Sequence, residues 1–360
     1  MPKSMIDLFC EMVRMDSESG SEARFVEHMR GVLAEELGAE TLLDAHGNLI
    51  ARVPPRGTSV STPIMLVSHA DTVKPGVGIE PIIDDGVVRS SGETILGADD
   101  KAGIAEIIEA VRRAERRPPV EVVLTLGEET GLSGSRNLDL DKVAARTAVI
   151  LDAEELEEVI IGGPTYVSLD IEIHGRASHA GMYPEKGISA IRVAAHAICT
   201  MPEGRIDPET TANLGVIEGG LVRNGVPDTV RIKGECRSLD HNKAMRQAAA
   251  MRQAFEDAAA AAEATVTIEE TLSLRAAQIS SDTEVVTRAA AALRAEGIEP
   301  SIKVITGGTD ALILTNRGVE AIALGVGVVD AHATTEHVKV ADMQTMARVL
   351  VRLLEAYAAA

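Results

Sequence analysis

Aromatic residues are scarce in this chain of 360 residues. They make up 2% of it, with no tryptophan, three tyrosines and three phenylalanines. A core of ordinary size therefore has to be built from Ala, Val, Leu and Ile, which the hydrophobic content of 45% allows. A chain of this length has room for one large domain or two.

Cysteine is also rare. Cys10, Cys199 and Cys236 are far apart, odd in number and never in a C-x-x-C pair. This spacing argues against a disulfide framework and against a thiolate zinc site. We expect buried free thiols.

Positive charge is in deficit. Lys and Arg number 35 against 55 Asp and Glu, a formal net charge of -20, which disfavours nucleic acid and anionic membranes as partners. No apolar run approaches the roughly 20 residues of a membrane helix. The first stretch, "MPKSMIDLFCEMVRMDS", carries acids inside its apolar part, unlike a signal peptide. We expect a cytoplasmic protein.

Several catalytic motifs are missing. The chain has no H-E-x-x-H zinc helix, no G-x-S-x-G elbow, no phosphate-binding P-loop and no G-x-G-x-x-G after a strand. The protease, hydrolase, nucleotide and dinucleotide interpretations that depend on those motifs are therefore unsupported.

What the sequence does contain is an alternation of apolar strands and helices. The runs "NLIARV", "IMLVSHA", "EVVLTLG", "AVILDAE" and "AIALGV" are separated by helical stretches such as "KAGIAEIIEAVRRAERR". This pattern predicts an α/β fold with a mixed, mostly parallel sheet flanked by helices.

The order of predicted strands and helices changes between residues 165 and 274. "YVSLDIEIHG", "GISAIRVAAHAICTM", "TTANLGVIEGG", "TVRIKGECRSLD", a long Ala-rich helix and "TVTIEETLS" follow in the order β-α-β-β-α-β, the ferredoxin-like arrangement. We predict an inserted α+β domain at 165–274, with the outer domain formed by 1–164 and 275–360.

Acids and histidines collect where the outer strands end. Because ligands bind beyond the carboxyl ends of parallel strands, these side chains could converge in one crevice. They are His69 and Asp71, Glu128 and Glu129, Asp152, His332 and His337, joined by Asp99 and Asp100 in the turn "LGADDKAG".

Each of these residues also has an ordinary explanation, since paired acids often cap helices and H-x-D can be a hydrogen-bonded turn. Taken together they predict a divalent cation, which relieves the repulsion among the acids. Carboxylates and imidazoles without thiolates suit catalytic zinc, manganese or cobalt better than structural zinc.

The chain resembles metallopeptidase family 20, in its peptidase T-like branch. The resemblance is carried, in order, by "SHADTV", "LGADDKAG", "GEETGLSGS", "ILDAE", "GRASHAG", "NLGVIEGGLVRNGVPDTV", "CRSLD", "GGTDA" and "DAHATTEHV". It implies a zinc exopeptidase-like catalytic domain with an inserted lid, and dimerisation of the protein through that lid.

The resemblance also implies a site with two divalent ions, zinc first, with cobalt or manganese as alternatives. Its ligands would be His69 and Asp152 for one ion, Glu129 and His332 for the other, and Asp99 between them, followed by a cis peptide. Asp71 would accept the second ring proton of His69. Glu128 would be the general base for a metal-bridged hydroxide that attacks an amide carbonyl.

The remaining implied residues would hold the substrate. His179 would stabilise the oxyanion, from its own or the partner subunit. Arg237 and Asn213 would contact the substrate, and Gly307 and Gly308 would offer backbone N–H groups near the cleft.

Three functions stay open on these grounds. The first is an aminotripeptidase-like exopeptidase acting on short peptides. The second is an amidase or deacylase of N-acyl amino acids, since fold and metal site are shared between the two. The third is a catalytically silent metal-binding homologue, against which the presence of all five presumed ligands and of Glu128 argues.

Overall fold

The computed structural model describes residues 3–359, which form two compact units. We call the chain up to Gly162 together with the chain from Gln278 onward the outer unit, and Gly163–Ala277 the inserted unit. The domain limits at residues 165 and 274 remain a proposal.

The helices are α1 (Met5–Val13), α2 (Ala23–Leu37), α3 (Ala98–Arg113), α4 (Ser133–Asn137), α5 (Ala190–Thr200), α6 (His241–Ala261), α7 (Glu284–Ala295), α8 (Asp310–Asn316) and α9 (Val340–Ala358). Single 3₁₀ turns lie at Leu140–Lys142 and Pro184–Lys186. Within residues 3–359, no helix combines the length and apolar composition needed to cross a membrane.

The strands are β1 (Glu40–Leu43), β2 (Leu49–Val53), β3 (Ile64–His69), β4 (Pro81–Asp84), β5 (Val87–Ser90), β6 (Val120–Thr125), β7 (Thr147–Ala153), β8 (Glu158–Gly163), β9 (Thr165–His174), β10 (Gly204–Asp207), β11 (Thr210–Gly219), β12 (Thr229–Ser238), β13 (Thr265–Leu274), β14 (Ala277–Gln278), β15 (Ser301–Val304), β16 (Glu320–Gly325), β17 (Val328–Val329) and β18 (His337–Lys339).

The large sheet has the order β1-β2-β6-β3-β7-β16-β8-β14, with β15 paired to β8. Its centre is parallel, through the pairs β6–β3, β3–β7 and β7–β16, and antiparallel pairs flank it at β1–β2, β2–β6 and β16–β8. Every residue of β3 and β6 is buried, as their unbroken apolar runs predict for strands covered by helices on both faces. The predicted mixed, mostly parallel fold is confirmed.

The parallel centre decides where the polar residues gather. Because β3, β6, β7 and β16 run in one direction, their carboxyl ends lie along one edge of the sheet.

Ser4 caps α1 by accepting a hydrogen bond from the backbone N–H of Asp7, as the "SMID" stretch predicts.

The inserted unit has the antiparallel order β10-β11-β12-β9-β13, with α5 and α6 packed on the sheet. Its apolar core includes Met251 and Phe255 of α6, which are fully buried. The ferredoxin-like prediction is confirmed, with β10 as an additional edge strand that is too short and polar to be recognised from its sequence.

Two expectations were incomplete. A small antiparallel sheet in the order β17-β18-β5-β4 was not predicted, because its strands are only two to four residues long. Cys10 and Cys236 are buried free thiols as expected, but Cys199 is exposed because it lies near the end of α5, outside the buried face of that helix.

Candidate active site

His69 is the last residue of β3 and its ring is almost fully buried. Its Nε2 lies 3.0 Å from Oδ1 of Asp99 and 3.6 Å from Oδ1 of Asp152. Its Nδ1 lies 2.9 Å from the backbone carbonyl oxygen of Asp71. With a proton assigned to Nδ1 as donor to that carbonyl, Nε2 is the ring nitrogen that faces the two carboxylates.

His332 contacts the other oxygen of the same aspartate. Its Nε2 lies 3.2 Å from Oδ2 of Asp99 and 2.7 Å from Oε1 of Glu129. The backbone of His332 has a φ of 66°, in the left-handed region, within the loop that follows β17. Asp99 therefore stands between the two imidazoles, with one carboxylate oxygen toward each.

The carboxylate of Asp71 has several contacts. Its Oδ1 lies 3.5 Å from Nδ1 of His69, the ring nitrogen that the resemblance assigns to it, and the carbonyl oxygen of Asp71 lies 2.9 Å from the same nitrogen. The carboxylate also accepts hydrogen bonds from Ser19 Oγ at 2.7 Å and from the backbone N–H groups of Glu128 and Glu129 at 3.0 and 3.3 Å. Asp71 thus fixes the turn that carries both glutamates.

The peptide bond between Asp99 and Asp100 is cis, as the resemblance implies. Asp100 is fully buried, and its Oδ2 accepts hydrogen bonds from Ser68 Oγ and from the backbone N–H of His69. Two sets of potential ligands have donor atoms within 4.8 Å of one another: His69 with Asp99 and Glu129, and His69 with Asp100 and Asp152.

Glu336 is a buried acid that the sequence did not single out. Its Oε2 accepts hydrogen bonds from the backbone N–H groups of Leu96 and Gly97, and its Oε1 accepts one from the N–H of Asp99. In the motif "DAHATTEHV" the histidines are the obvious candidates for metal binding. Glu336 is not recognised there, because no sequence pattern identifies an acid that binds backbone N–H groups.

Two more buried polar residues follow "GG" in the motif "GGTDA". Thr309 Oγ1 donates to Oδ2 of Asp152 at 3.3 Å, and Asp310 accepts a hydrogen bond from Thr125 Oγ1 at 2.6 Å. The sequence pointed to the glycines, of which Gly308 lines the cavity described below. Thr309 therefore helps to orient a carboxylate that faces His69.

The surrounding acids favour positive charge at both imidazoles. Burial opposes protonation of His69, but the neighbouring carboxylates of Asp152, Asp71 and Asp99 outweigh it and raise the pKa of His69 well above its ordinary value. Hydrogen bonds to Asp99 and then Glu129 raise the pKa of His332 to about 10.

Two acids of the site have raised pKa values, which favour their neutral, protonated forms. Burial raises the pKa of Asp152 to about 6. Burial, reinforced by the charge of Asp152, also raises the pKa of Glu128 well above its ordinary value. A raised pKa favours the protonated form of Glu128, which suits a carboxyl group that takes and returns a proton.

A cavity of about 470 Å³ opens beside these residues. Its lining includes Glu128 and the carboxylates that face the two imidazoles. The lining also includes other side chains of the outer unit, among them Glu154, Glu158, Ile160, Lys303 and Ile305.

Three predicted residues belong to the inserted unit. His179 Nδ1 accepts hydrogen bonds from the backbone N–H groups of Gly181 and Met182 at 3.2 and 3.1 Å, which leaves the ring proton on Nε2. Arg237 forms a two-point ion pair with Glu235, at 3.0 and 3.1 Å.

The guanidinium of Arg237 also stacks on the ring of Tyr166, 4.5 Å from its centroid. Asn213 lies on β11 and, with Tyr166, lines a hollow of about 310 Å³ within this unit.

Known proteins resemble this chain over nearly its whole length. The family profile of the peptidase dimerisation domain of M20 matches residues 162–263, and that of peptidase family M28 matches residues 48–178. An uncharacterised protein of Bacillus subtilis, YqjE, is 35% identical over 98% of both chains.

Two solved structures are similar in sequence and in fold. The aminopeptidase PepT of Bacillus cereus is 36% identical with a TM-score of 0.90, and the match covers 99% of this chain and 98% of that one. A tripeptidase of Staphylococcus aureus is 30% identical with a TM-score of 0.94 over the same shares. These likenesses confirm the predicted resemblance: the chain belongs to the M20 family of metallopeptidases, in its peptidase T-like branch, and is a metal-dependent exopeptidase.

Proposed function

We propose that this chain is a dinuclear-metal aminopeptidase that hydrolyses short peptides, of aminotripeptidase type. The observation that carries the proposal is the position of Asp99, whose two carboxylate oxygens face His69 on one side and His332 on the other. A carboxylate shared in this way is what two adjacent cations require.

The donor set fits divalent ions. Donor atoms that share one cation at bond lengths of about 2.0–2.2 Å stand roughly 3–3.5 Å apart. The distances from His69 Nε2 and His332 Nε2 to their neighbouring carboxylate oxygens lie between 2.7 and 3.6 Å. One ion would be held by His69 and Asp152, the other by Glu129 and His332, with Asp99 shared.

Carboxylates and imidazoles without thiolates suit a catalytic site for zinc, with cobalt or manganese as alternatives. When bound, such ions supply Lewis-acid polarisation of the scissile carbonyl and lower the pKa of water. Glu128 lines the same cavity and would take the proton of the attacking water and return it to the leaving amine. The Asp71 carboxylate keeps Glu128 in place through its backbone N–H.

Residues of the inserted unit would act on the substrate. His179 has its Nε2 proton available to donate to an oxyanion, from its own subunit or from the partner in a homodimer. Arg237 and Asn213 would hold the substrate, the guanidinium exchanging Glu235 for a substrate carboxylate. Gly307 and Gly308 would contribute backbone N–H groups.

The short-peptide substrate is supported by the similarity to proteins described as an aminopeptidase and a tripeptidase. The test is hydrolysis of di- and tripeptides and of N-acetyl amino acids by zinc-loaded wild type and by Glu128→Gln. We expect tripeptide cleavage that falls about 10²–10⁴-fold in the variant, with metal content unchanged.

Two results would overturn the proposal. Cleavage of the N-acetyl amino acids alone would move the chain to the amidase function. Inactivity of the metal-loaded wild type on every substrate would indicate a catalytically silent homologue.

A further inference from the structure

The cavity beside the candidate metal ligands has an aliphatic wall. Ile160, Ile305, Val326 and Val328 line it. Its volume of about 470 Å³ exceeds the space that the attacked carbonyl group alone would need. A ligand pocket of this kind takes an apolar group and orients it through a few polar side chains.

Three other charged side chains, Glu154, Glu158 and Lys303, complete the lining. The carboxylate of Glu158 is mostly buried and accepts a hydrogen bond from Nζ of Lys303. The lysine is therefore already neutralised. Glu154 also lines the cavity, is exposed, and forms no ion pair with a cation within residues 3–359. This part of the wall thus carries one net negative charge.

The position of Glu154 is fixed by its backbone. It directly follows β7, two residues after Asp152, in the bend where the chain leaves the strand. Val326 N–H donates to the carbonyl of Ala153 at 2.8 Å, and Gly327 N–H donates to that of Glu154 at 2.9 Å.

The next turn of the chain packs just as tightly against the end of β16. A Cβ atom at Gly325 would lie 1.8 Å from the carbonyl oxygen of Glu155. The backbone of the segment after Asp152 is therefore held against the end of β16, and Glu154 projects from this fixed backbone.

We propose that this cavity receives the N-terminal residue of the peptide, with Glu154 binding its ammonium group and the aliphatic wall contacting its side chain. This inference rests on the proposed function. In an aminopeptidase substrate the ammonium nitrogen is two bonds from the scissile carbonyl carbon, so its partner must lie beside the hydrolytic groups. A carboxylate next to Asp152 meets that requirement, and it repels a substrate carboxylate.

The test compares Leu-Gly-Gly with 4-methylpentanoyl-Gly-Gly, the same peptide without its amino group. Both are assayed with zinc-loaded wild type, Glu154→Gln and the neighbouring control Glu155→Gln, whose side chain does not line the cavity. We expect Glu154→Gln to lower kcat/KM for Leu-Gly-Gly about tenfold or more, mainly through KM, because a charge-assisted hydrogen bond is lost.

The control and the substrate lacking the amino group complete the comparison. Glu155→Gln should match wild type on both substrates, and Glu154→Gln should match wild type on 4-methylpentanoyl-Gly-Gly. If both variants match wild type on Leu-Gly-Gly, the ammonium site is overturned while the proposed function stands. If wild type cleaves no peptide, the proposed function is wrong, and the ammonium site that rests on it is wrong as well.

Discussion

The side chain of Glu336 accepts a hydrogen bond from the backbone N–H of Asp99 at 2.9 Å. Its second oxygen accepts from the N–H groups of Leu96 and Gly97 at 2.7 and 2.8 Å. One buried carboxylate therefore binds three backbone donors of the turn at the start of α3. Since that turn carries the aspartate between the two imidazoles, Glu336 acts on the metal site through position rather than through contact.

Replacing Glu336 with Gln should weaken metal binding without removing a ligand. The amide keeps one acceptor oxygen and places an NH₂ group against backbone N–H donors, so the turn loses its alignment. We expect affinity for Zn²⁺ to fall about 10–100-fold, as for other groups that orient ligands. The free energy of unfolding should fall by about 1–3 kcal/mol. Chelator competition and thermal unfolding measure the two effects.

His337→Gln is the matched control for this variant. His337 is the next residue, and its Nδ1 lies 2.9 Å from the carbonyl oxygen of Thr335. The control should bind zinc as wild type does. A folded Glu336→Gln protein with unchanged zinc affinity would show that the turn is fixed by other contacts.

Gly103→Ala should destabilise the packing of α3 against the large sheet. An added Cβ would lie 2.5 Å from Oδ1 of Asp100 and 2.6 Å from the carbonyl oxygen of Leu151, closer than real Cβ atoms come. Overpacking of this kind costs about 1–3 kcal/mol of unfolding free energy. Urea unfolding measures the loss.

Gly31→Ala tests the same substitution where space is free. Gly31 lies within α2, and a Cβ there would meet no atom within 4 Å. Alanine should stabilise this helix by about 0.5–1 kcal/mol. Equal effects of the two substitutions would contradict the packing of α3 described above.

The stability of the outer unit should depend on the charge of Glu296. This residue ends α7, and its carboxylate accepts hydrogen bonds from Arg348 and Arg352 of α9, with the Arg348 pair at 2.7 Å. The Arg348 hydrogen bond is the main cause that lowers the pKa of Glu296. A carboxyl group whose pKa is lowered by folding stabilises the protein at pH values above its pKa in the unfolded chain. That stabilisation is lost as the pH falls through its pKa in the folded protein.

Glu296→Gln should therefore cost about 1 kcal/mol of unfolding free energy at pH 7, and less as the pH falls below about 4. Glu299→Gln, which breaks an exposed pair with Arg294, is the control and should change stability less. Denaturant titrations at several pH values give both curves. A cost for Glu296→Gln that stays constant down to the acid range would show that the ion pair is not its origin.

Much of the site could be predicted because its residues follow strands with clear apolar runs. His69 and Asp152 end buried strands of a parallel sheet, so their type and place point to one edge. Glu336 gave no such signal, because its partners are backbone N–H groups far away along the chain. The hydrogen bond between the His69 ring and the carbonyl of Asp71, rather than its carboxylate, depends on atomic distances that spacing does not determine.

The choice between Asp99 and Asp100 is the central question that the motif "ADDK" leaves to experiment, because both acids come close to His69. We assign Asp99 as the ligand shared by two ions, and Asp100 to the hydrogen bonds with Ser68 Oγ and the N–H of His69. The most direct measurement is a calorimetric titration of metal-free wild type and Asp99→Ala with Zn²⁺, with folding checked by circular dichroism. The account predicts two ions per wild-type chain and weakened binding of both in the folded variant; two ions bound by Asp99→Ala at wild-type affinity would contradict it.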